Sequence, residues 1–218
     1  VGSYIGSTVA CNSATIVINL VINPTSLALY PNPPSKCAEL NQNYGYIDFD
    51  SQRATIKNTY FPTTTVDINF YFSTSDASLG TNPLSNSTQI PTGITTIYVR
   101  VTSNNNCVGI GNFTVEIYNN PSLNNPITTI NACLSDQIIL ATKDTEILQN
   151  QNSNIQTSYF YSNNNAITNT NPIDKNIPLN IVSLGSQQIF VRLFNSITQC
   201  FSIYNFSINT FVEPTSIV

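Results

Sequence analysis

Apolar and polar residues alternate with period two over short stretches of this chain. In Val66-Asp67-Ile68-Asn69-Phe70-Tyr71-Phe72 the alternation predicts a strand whose core face carries Val66, Ile68, Phe70 and Phe72. From Thr96 to Thr102 the same pattern turns Ile97, Val99 and Val101 inward and Tyr98 and Arg100 outward, and a closing strand does likewise with Phe113, Val115 and Ile117. The polar link Ser103-Asn104-Asn105-Asn106 between them predicts a hairpin. Helical periodicity is expected nowhere beyond a single turn, Asp76 to Leu79, capped by Ser75.

The pattern recurs. Ile97-Tyr98-Val99-Arg100-Val101, Cys107 and Asn112-Phe113-Thr114-Val115 return as Ile189-Phe190-Val191-Arg192-Leu193, Cys200 and Asn205-Phe206-Ser207-Ile208. Cys11, Cys107 and Cys200 lie 96 and 93 residues apart, and Cys37 and Cys133 lie 96 apart. A period of that length is too long for a solenoid unit and suits a self-contained β-domain. Proline marks the seams at Pro24, Pro31-Asn32-Pro33-Pro34, Pro121, Pro126 and Pro214, where it stiffens a linker and cannot donate to a ladder. The expected fold is all-β: tandem immunoglobulin-like antiparallel β-sandwich modules at residues 24–121 and 122–214. Residues 1–23 are expected to be the closing strands of a truncated preceding module, and 215–218 the start of the next linker or module. The first copy being cut short and Val1 standing in place of Met, the native chain is expected to extend further on the N-terminal side.

Composition narrows the function classes. Only 8% of residues are charged and the net charge is −4, which leaves no basic footprint for nucleic acid or an anionic membrane surface. The run Ile16 to Ile22 is far too short to span a bilayer, so no membrane insertion is expected. Five cysteines at the period, none in a C-x-x-C pair, predict a disulfide framework and an oxidising, extracellular setting. Two pairings respect the period, one within each module and one across each seam (Cys11 with Cys37, Cys107 with Cys133). The strand after Cys107 carries the chain to the far end of its module, while the last hairpin of an immunoglobulin-like fold lies at the N-terminal end. The expectation is therefore Cys37–Cys107 and Cys133–Cys200, with Cys11 unpaired.

Without histidine, His-based triads and His-ligated metals are excluded, and with no C-x-x-C pair or phosphate-cradling Gly-rich loop no catalytic residue, cofactor or intrinsic enzymatic activity is expected. Metal candidates reduce to the acid pairs Asp48 with Asp50 and Asp144 with Glu146, each two apart and so on one face of a strand; solvated strand acids are the commoner reading. Arg100 and Arg192 recur in one strand and suit either a carboxylated sugar or a structural partner, structure being favoured, with Glu116 a candidate opposite Arg100. Tyr44, Tyr46, Tyr60, Phe61, Tyr71 and Tyr98 suit sugar platforms or, more commonly, sandwich core. The matches Asn86-Ser87-Thr88, Asn112-Phe113-Thr114 and Asn205-Phe206-Ser207 to a glycosylation acceptor follow from the high Asn and Thr content.

One ordered set of phrases goes beyond fold class: Phe70 to Leu84 with its Asp76-Ala77 and Gly80-Thr81-Asn82-Pro83 segments, then Tyr98-Val99-Arg100-Val101 and Asn106-Cys107. The second module carries a different phrase, Thr142 to Leu148, together with Thr170-Asn171-Pro172-Ile173. This order resembles the tandem repeat of very large surface adhesins of Bacteroidota, the SprB-like gliding-motility adhesins exported by the type IX secretion system. Cys37 is followed by Ala38-Glu39-Leu40 instead of that family's acid-rich loop, so the resemblance carries no calcium site. It implies a non-enzymatic stalk or adhesive segment of a long, secreted cell-surface adhesin, linked to gliding motility or surface attachment. Its implied partners are a surface polysaccharide or other extracellular ligand, neighbouring modules of the same chain, and the secretion or motility machinery. The alternative is a set of carbohydrate-binding or spacer modules accessory to a secreted polysaccharide-degrading enzyme.

Overall fold

The computed structural model describes residues 28–179 and 184–212, and these form two similar β-modules in tandem. In the first, strands β1 (Ala28–Leu29) and β2 (Lys36–Cys37) lie along β7 (Val108–Tyr118), which pairs with β6 (Gly93–Ser103), which pairs with β4 (Val66–Tyr71). The β6–β7 hairpin is antiparallel, with Thr102 opposite Val108 and Ile97 opposite Phe113, so the predicted link Ser103 to Asn106 is its turn. β1 and β2 instead run parallel to β7, with Ala28 opposite Gly111 and Cys37 opposite Tyr118. That is the leading-strand arrangement of an immunoglobulin-like sheet. A second layer consists of the short pair β3 (Tyr44–Gly45) and β5 (Ile90–Pro91) together with helix α1 (Phe49–Tyr60).

Helix α1 departs from the expected all-strand pattern. Asp48 caps it by accepting from the Ser51 amide, and it lays Phe49, Gln52 and Ile56 on the sheet. Three buried-face positions in twelve residues, one of them the polar Gln52, give a weak helical period, which is why no helix is expected there from the sequence. The short helix α2 (Thr74–Leu79) is capped by Ser73, two residues earlier than expected. The core face of β4 holds Ile68 and Phe70, but Phe72 is exposed: the strand ends at Tyr71, which is itself buried on the opposite face beside α2. Ile97, Val99, Val101, Phe113, Val115 and Ile117 are buried as their alternation requires. Phe49 stacks on Phe70 at 5.0 Å, and Phe70 meets Phe113 edge to face at 5.7 Å.

The second module repeats the plan with β8 (Ile130–Cys133) parallel to β11 (Phe201–Phe211), then β10 (Gly185–Asn195) and β9 (Ile155–Phe160). Cys133 stands opposite Phe211 as Cys37 stands opposite Tyr118. A 3-10 turn (Leu140–Lys143) runs into helix α3 (Asp144–Ile147) where the first module has α1, and helix α4 (Asn163–Thr168) repeats α2.

Candidate functional site at the module junction

The parallel course of β1 and β2 decides where the cysteines go. β7 is eleven residues long, so at roughly 3.3 Å per residue its two ends lie more than 30 Å apart. Cys107 precedes its first residue and Cys37 pairs with its last. The two cysteines therefore occupy opposite ends of one module, and the expected Cys37–Cys107 bond does not form; Cys133–Cys200 fails for the same reason. Cys37 is bonded to Cys200 of the following module, with Cα atoms 5.5 Å apart and 163 residues between them in sequence. Cys107 and Cys133 are free, and Cys11 lies outside the described residues. This pairing also respects the period, since it joins the first cysteine of one copy to the second cysteine of the next. The overlooked signal was the leading segment, whose two strand pieces carry Cys37 along β7 to its far end.

The linker between the modules is fastened on both sides. The Asn120 amide donates to the carbonyls of Ala38 (2.9 Å) and Glu39 (3.2 Å), holding the linker to the Cys37 end of the first module. The Tyr204 hydroxyl donates to the Pro121 carbonyl and accepts from the Leu123 amide, both at 3.3 Å. Gln151 donates to the Ser122 carbonyl and Asn124 to the Gln149 carbonyl, at 2.7 and 2.8 Å. Covalent clamp and hydrogen-bonded strap act on the same joint.

The remaining candidates have structural partners. Asp48 is the α1 cap, and Asp50 is paired with Arg53 and accepts from Asn86, bonds that hold its carboxyl below the usual carboxylate range. Asp144 accepts from Lys175 (2.6 Å), Tyr159 (2.7 Å) and Thr157 (2.5 Å). Burial pushes Glu146 up, but bonds from Lys143 and Thr128 outweigh it and hold the carboxyl below its ordinary value. Burial first, and the bond to Asp144 second, push the Tyr159 hydroxyl well above its ordinary range. Asp50, Asp144 and Glu146 lie in helices and Asp48 caps one, none of them on a strand face, and among the described residues no cluster of metal-ligating side chains brings them together.

Arg100 donates to the carbonyls of Ala77 and Ser78 at the end of α2, and Arg192 does the same for Ala166 and Ile167 in α4. Arg100 stands opposite Ile110, whereas Glu116 stands opposite Ile94 and accepts from Ser35, so the considered Arg100–Glu116 pair is absent. Tyr71 is buried, and Tyr44 and Tyr46 meet at an interplanar angle of 74°, which is not a flat sugar platform.

A family model described as the Flavobacterium inter-domain disulphide bond domain matches residues 33–121 and 128–215. No curated protein matches significantly. Among solved structures, a SusE-like surface located polysaccharide binding protein from Bacteroides thetaiotaomicron is 15% identical with a TM-score of 0.32, covering 67% of this chain and 29% of that one. The titin fragment I67-I69 is 9% identical with a TM-score of 0.28, over 86% and 64% of the respective chains. Human mucin-like protocadherin EC1-2 is 7% identical with a TM-score of 0.27, over 68% and 85%. The chain thus spans less than a third of the SusE-like structure.

Proposed function

We propose, from the premise that this chain belongs to the Flavobacterium inter-domain disulphide bond domain family, that it is a load-bearing, non-enzymatic stalk segment of a long secreted cell-surface adhesin. Its units are residues 24–121 and 122–214, exposed outside the cell and serving surface attachment or gliding motility after export by the type IX route. Multivalent contact with a surface polysaccharide or similar polar ligand supplies adhesion, because many weak sites on one chain give avidity that one module lacks.

One observation carries this reading: the Cys37–Cys200 bond. Tension entering at β1 reaches Cys37 within ten residues, crosses the bond to Cys200 and leaves along β11. Everything between the two cysteines, including the whole of β4, β6, β7, β9 and β10, lies outside the load path. A stalk so wired resists extension even if a module opens. Pulling the chain by its ends in an optical trap tests this. At about 3.4 Å per residue the bond should conceal roughly 550 Å of contour length until a reductant is added. Full extension of both modules under oxidising conditions would overturn the mechanical role.

A further inference from the structure

We infer that the cleft between the proline kink at residues 31–34 and the start of α1 is a binding site for a neutral sugar unit of a polysaccharide, with the Gln52 Oε1 as the acceptor at its floor. The inference rests on the polysaccharide contact proposed above for its ligand class, and on the geometry of the first module for its place.

Two constraints build the cleft. Between β1 and β2 the chain kinks, and the Asn32 Oδ1 holds the kink in place by accepting from the Thr114 amide at 2.9 Å. Across from it, Asp48 caps α1 and sets its first turn, so that Ser51, Gln52 and Thr55 line the other side. The space between is about 270 Å³, just under the range of drug-sized pockets and enough for one sugar ring. Pro33 and Ile47 give it an apolar wall. Gln52 is only 5% exposed, yet half of its amide is unused. The Pro31 carbonyl can only accept, so it fixes the amide with Nε2 towards it, at 2.6 Å. The Oε1 on the other side takes no bond from any described residue and is left to the cleft.

These groups select the ligand. A recessed acceptor needs a donor, while the rim carries both an ammonium, Lys36, and a carboxylate, Asp48. Sugar hydroxyls donate to Gln52 and Asp48 and accept from Lys36, and the C–H face of the ring packs on Pro33 and Ile47. An anionic sugar would meet Asp48 and a cationic one Lys36, so the neutral sugar is preferred. The second module has a cleft of about 330 Å³ at the corresponding place, lined by Asn131, Thr142 and Lys143 among others. Its buried polar group is Lys143, which likewise reaches back to a carbonyl of the leading segment, that of Thr128 at 2.8 Å. The same ammonium also bonds the Thr128 hydroxyl and Glu146, both at 2.7 Å, so its three protons are all placed and none is left for a ligand. The site therefore belongs to the first module alone.

The test uses the full chain, labelled with nitrogen-15 and titrated with laminarin and mannan oligosaccharides as neutral probes and alginate oligosaccharides as an anionic one. The neutral probes should shift the amide signals of Lys36, Ser51 and Gln52 and leave those of Thr142 and Lys143 in place. Thr55→Arg, at the exposed mouth of the cleft, should abolish these shifts, and Gln52→Leu should weaken binding about tenfold, within what one hydrogen bond supplies. Should Gln52→Leu fail to fold for want of its bond to Pro31, Thr55→Arg decides the matter. Thr142→Arg, in the cleft of the second module, should leave binding unchanged. Neutral probes that shift only other residues, that bind regardless of Thr55→Arg, or that do nothing where alginate binds would overturn the inference and leave the polysaccharide contact standing. If no probe shifts any residue, both fall.

Discussion

The two modules share their sheet, ordered β1/β2-β7-β6-β4 in the first and β8-β11-β10-β9 in the second, and their joint chemistry, and differ in the layer that closes the core. The first closes it with α1 and an aromatic stack, Phe49 on Phe70 on Phe113. The second has a 3-10 turn and one helical turn, and places ionic groups there: Lys143 bonds Glu146 and the Thr128 carbonyl, while Lys175 bonds Asp144 above Thr157 and Tyr159. A similar exchange occurs at the edge of the core face of the sheet. Gly111 leaves room for Tyr30, whose ring lies where a Cβ at that position would sit. The register-equivalent residue of β11 is Tyr204, which fills the space itself and takes the linker's Pro121 and Leu123 as partners. Module identity therefore resides in the sheet and the cysteines, while the closing layer is free to change its chemistry as long as volume and hydrogen bonds are met.

Removing the joint should have the largest effect. In the chain-entropy model a bond across 163 residues is worth about 5 kcal/mol. Cys37→Ser should lower the midpoint of chemical denaturation for the whole chain and separate the unfolding of the two modules. A wild-type-like midpoint with a single transition would show that the strap at Asn120 and Tyr204 suffices without the bond.

Next, Phe70→Ala should cost about 3–5 kcal/mol, because it removes the middle ring of the aromatic stack and leaves a cavity. Tyr159→Phe, at the comparable depth in the second module, should cost only about 1–2 kcal/mol, since volume is kept and one hydrogen bond to Asp144 is lost. Tryptic mapping of partly denatured samples would assign each loss to its module. Equal losses would mean that the two cores do not differ as their contacts indicate.

The shared half of the molecule is also the half that was legible in the sequence. Strict alternation placed β6, β7 and the core residues Ile97, Val99, Phe113 and Val115 correctly, since a one-residue slip would turn every one of them to solvent. Helix α1 was hidden because its buried set includes Gln52, which is polar in sequence but donates to the Pro31 carbonyl. The disulfide pairing misled for a topological reason: spacing fixes which cysteines are equivalent, but not whether the leading strand runs parallel to β7. Asp48, Asp50, Asp144 and Glu146 were metal candidates on the spacing of a strand face, whereas they sit at or in helices and take partners from turns and distant strands that spacing does not reveal.

Acid sharpens the contrast further. Glu146 has its carboxyl held below the unfolded value of about 4.3, so its contribution is fully present above that pH and is lost as pH falls through the lower folded value. Glu146→Gln should therefore destabilise the second module by about 1–2 kcal/mol at neutral pH, with the gap from wild type closing below pH 4 or so. In the first module Asp50 shifts in the same direction through its pair with Arg53, but it is solvent-facing. Its part of the acid response should shrink with added salt more than that of the partly buried Glu146. An acid limb unchanged by Glu146→Gln would remove this residue from the account.

The smallest effect separates two arginines that make the same bonds. Arg100 and Arg192 each donate to two carbonyls at the end of a short helix, and both helices end on a left-handed residue, Gly80 and Asn169. Only Arg192 is also packed between rings, with its guanidinium 3.4 Å from the Phe201 centroid and 5.6 Å from that of Phe194. The register-equivalent residues in the first module are Val108 and Thr102. Burial between those rings lowers the Arg192 pKa, yet the side chain stays charged at any ordinary pH. Arg192→Leu should thus cost about 1 kcal/mol more than Arg100→Leu, the worth of a partly desolvated cation–π contact. Replacing Phe201 by Val in the wild-type chain and in the Arg192→Leu chain completes a cycle that isolates that contact. If the cycle closes to zero, the rings only fill space beside Arg192, and the two arginines are energetically the same residue in two copies.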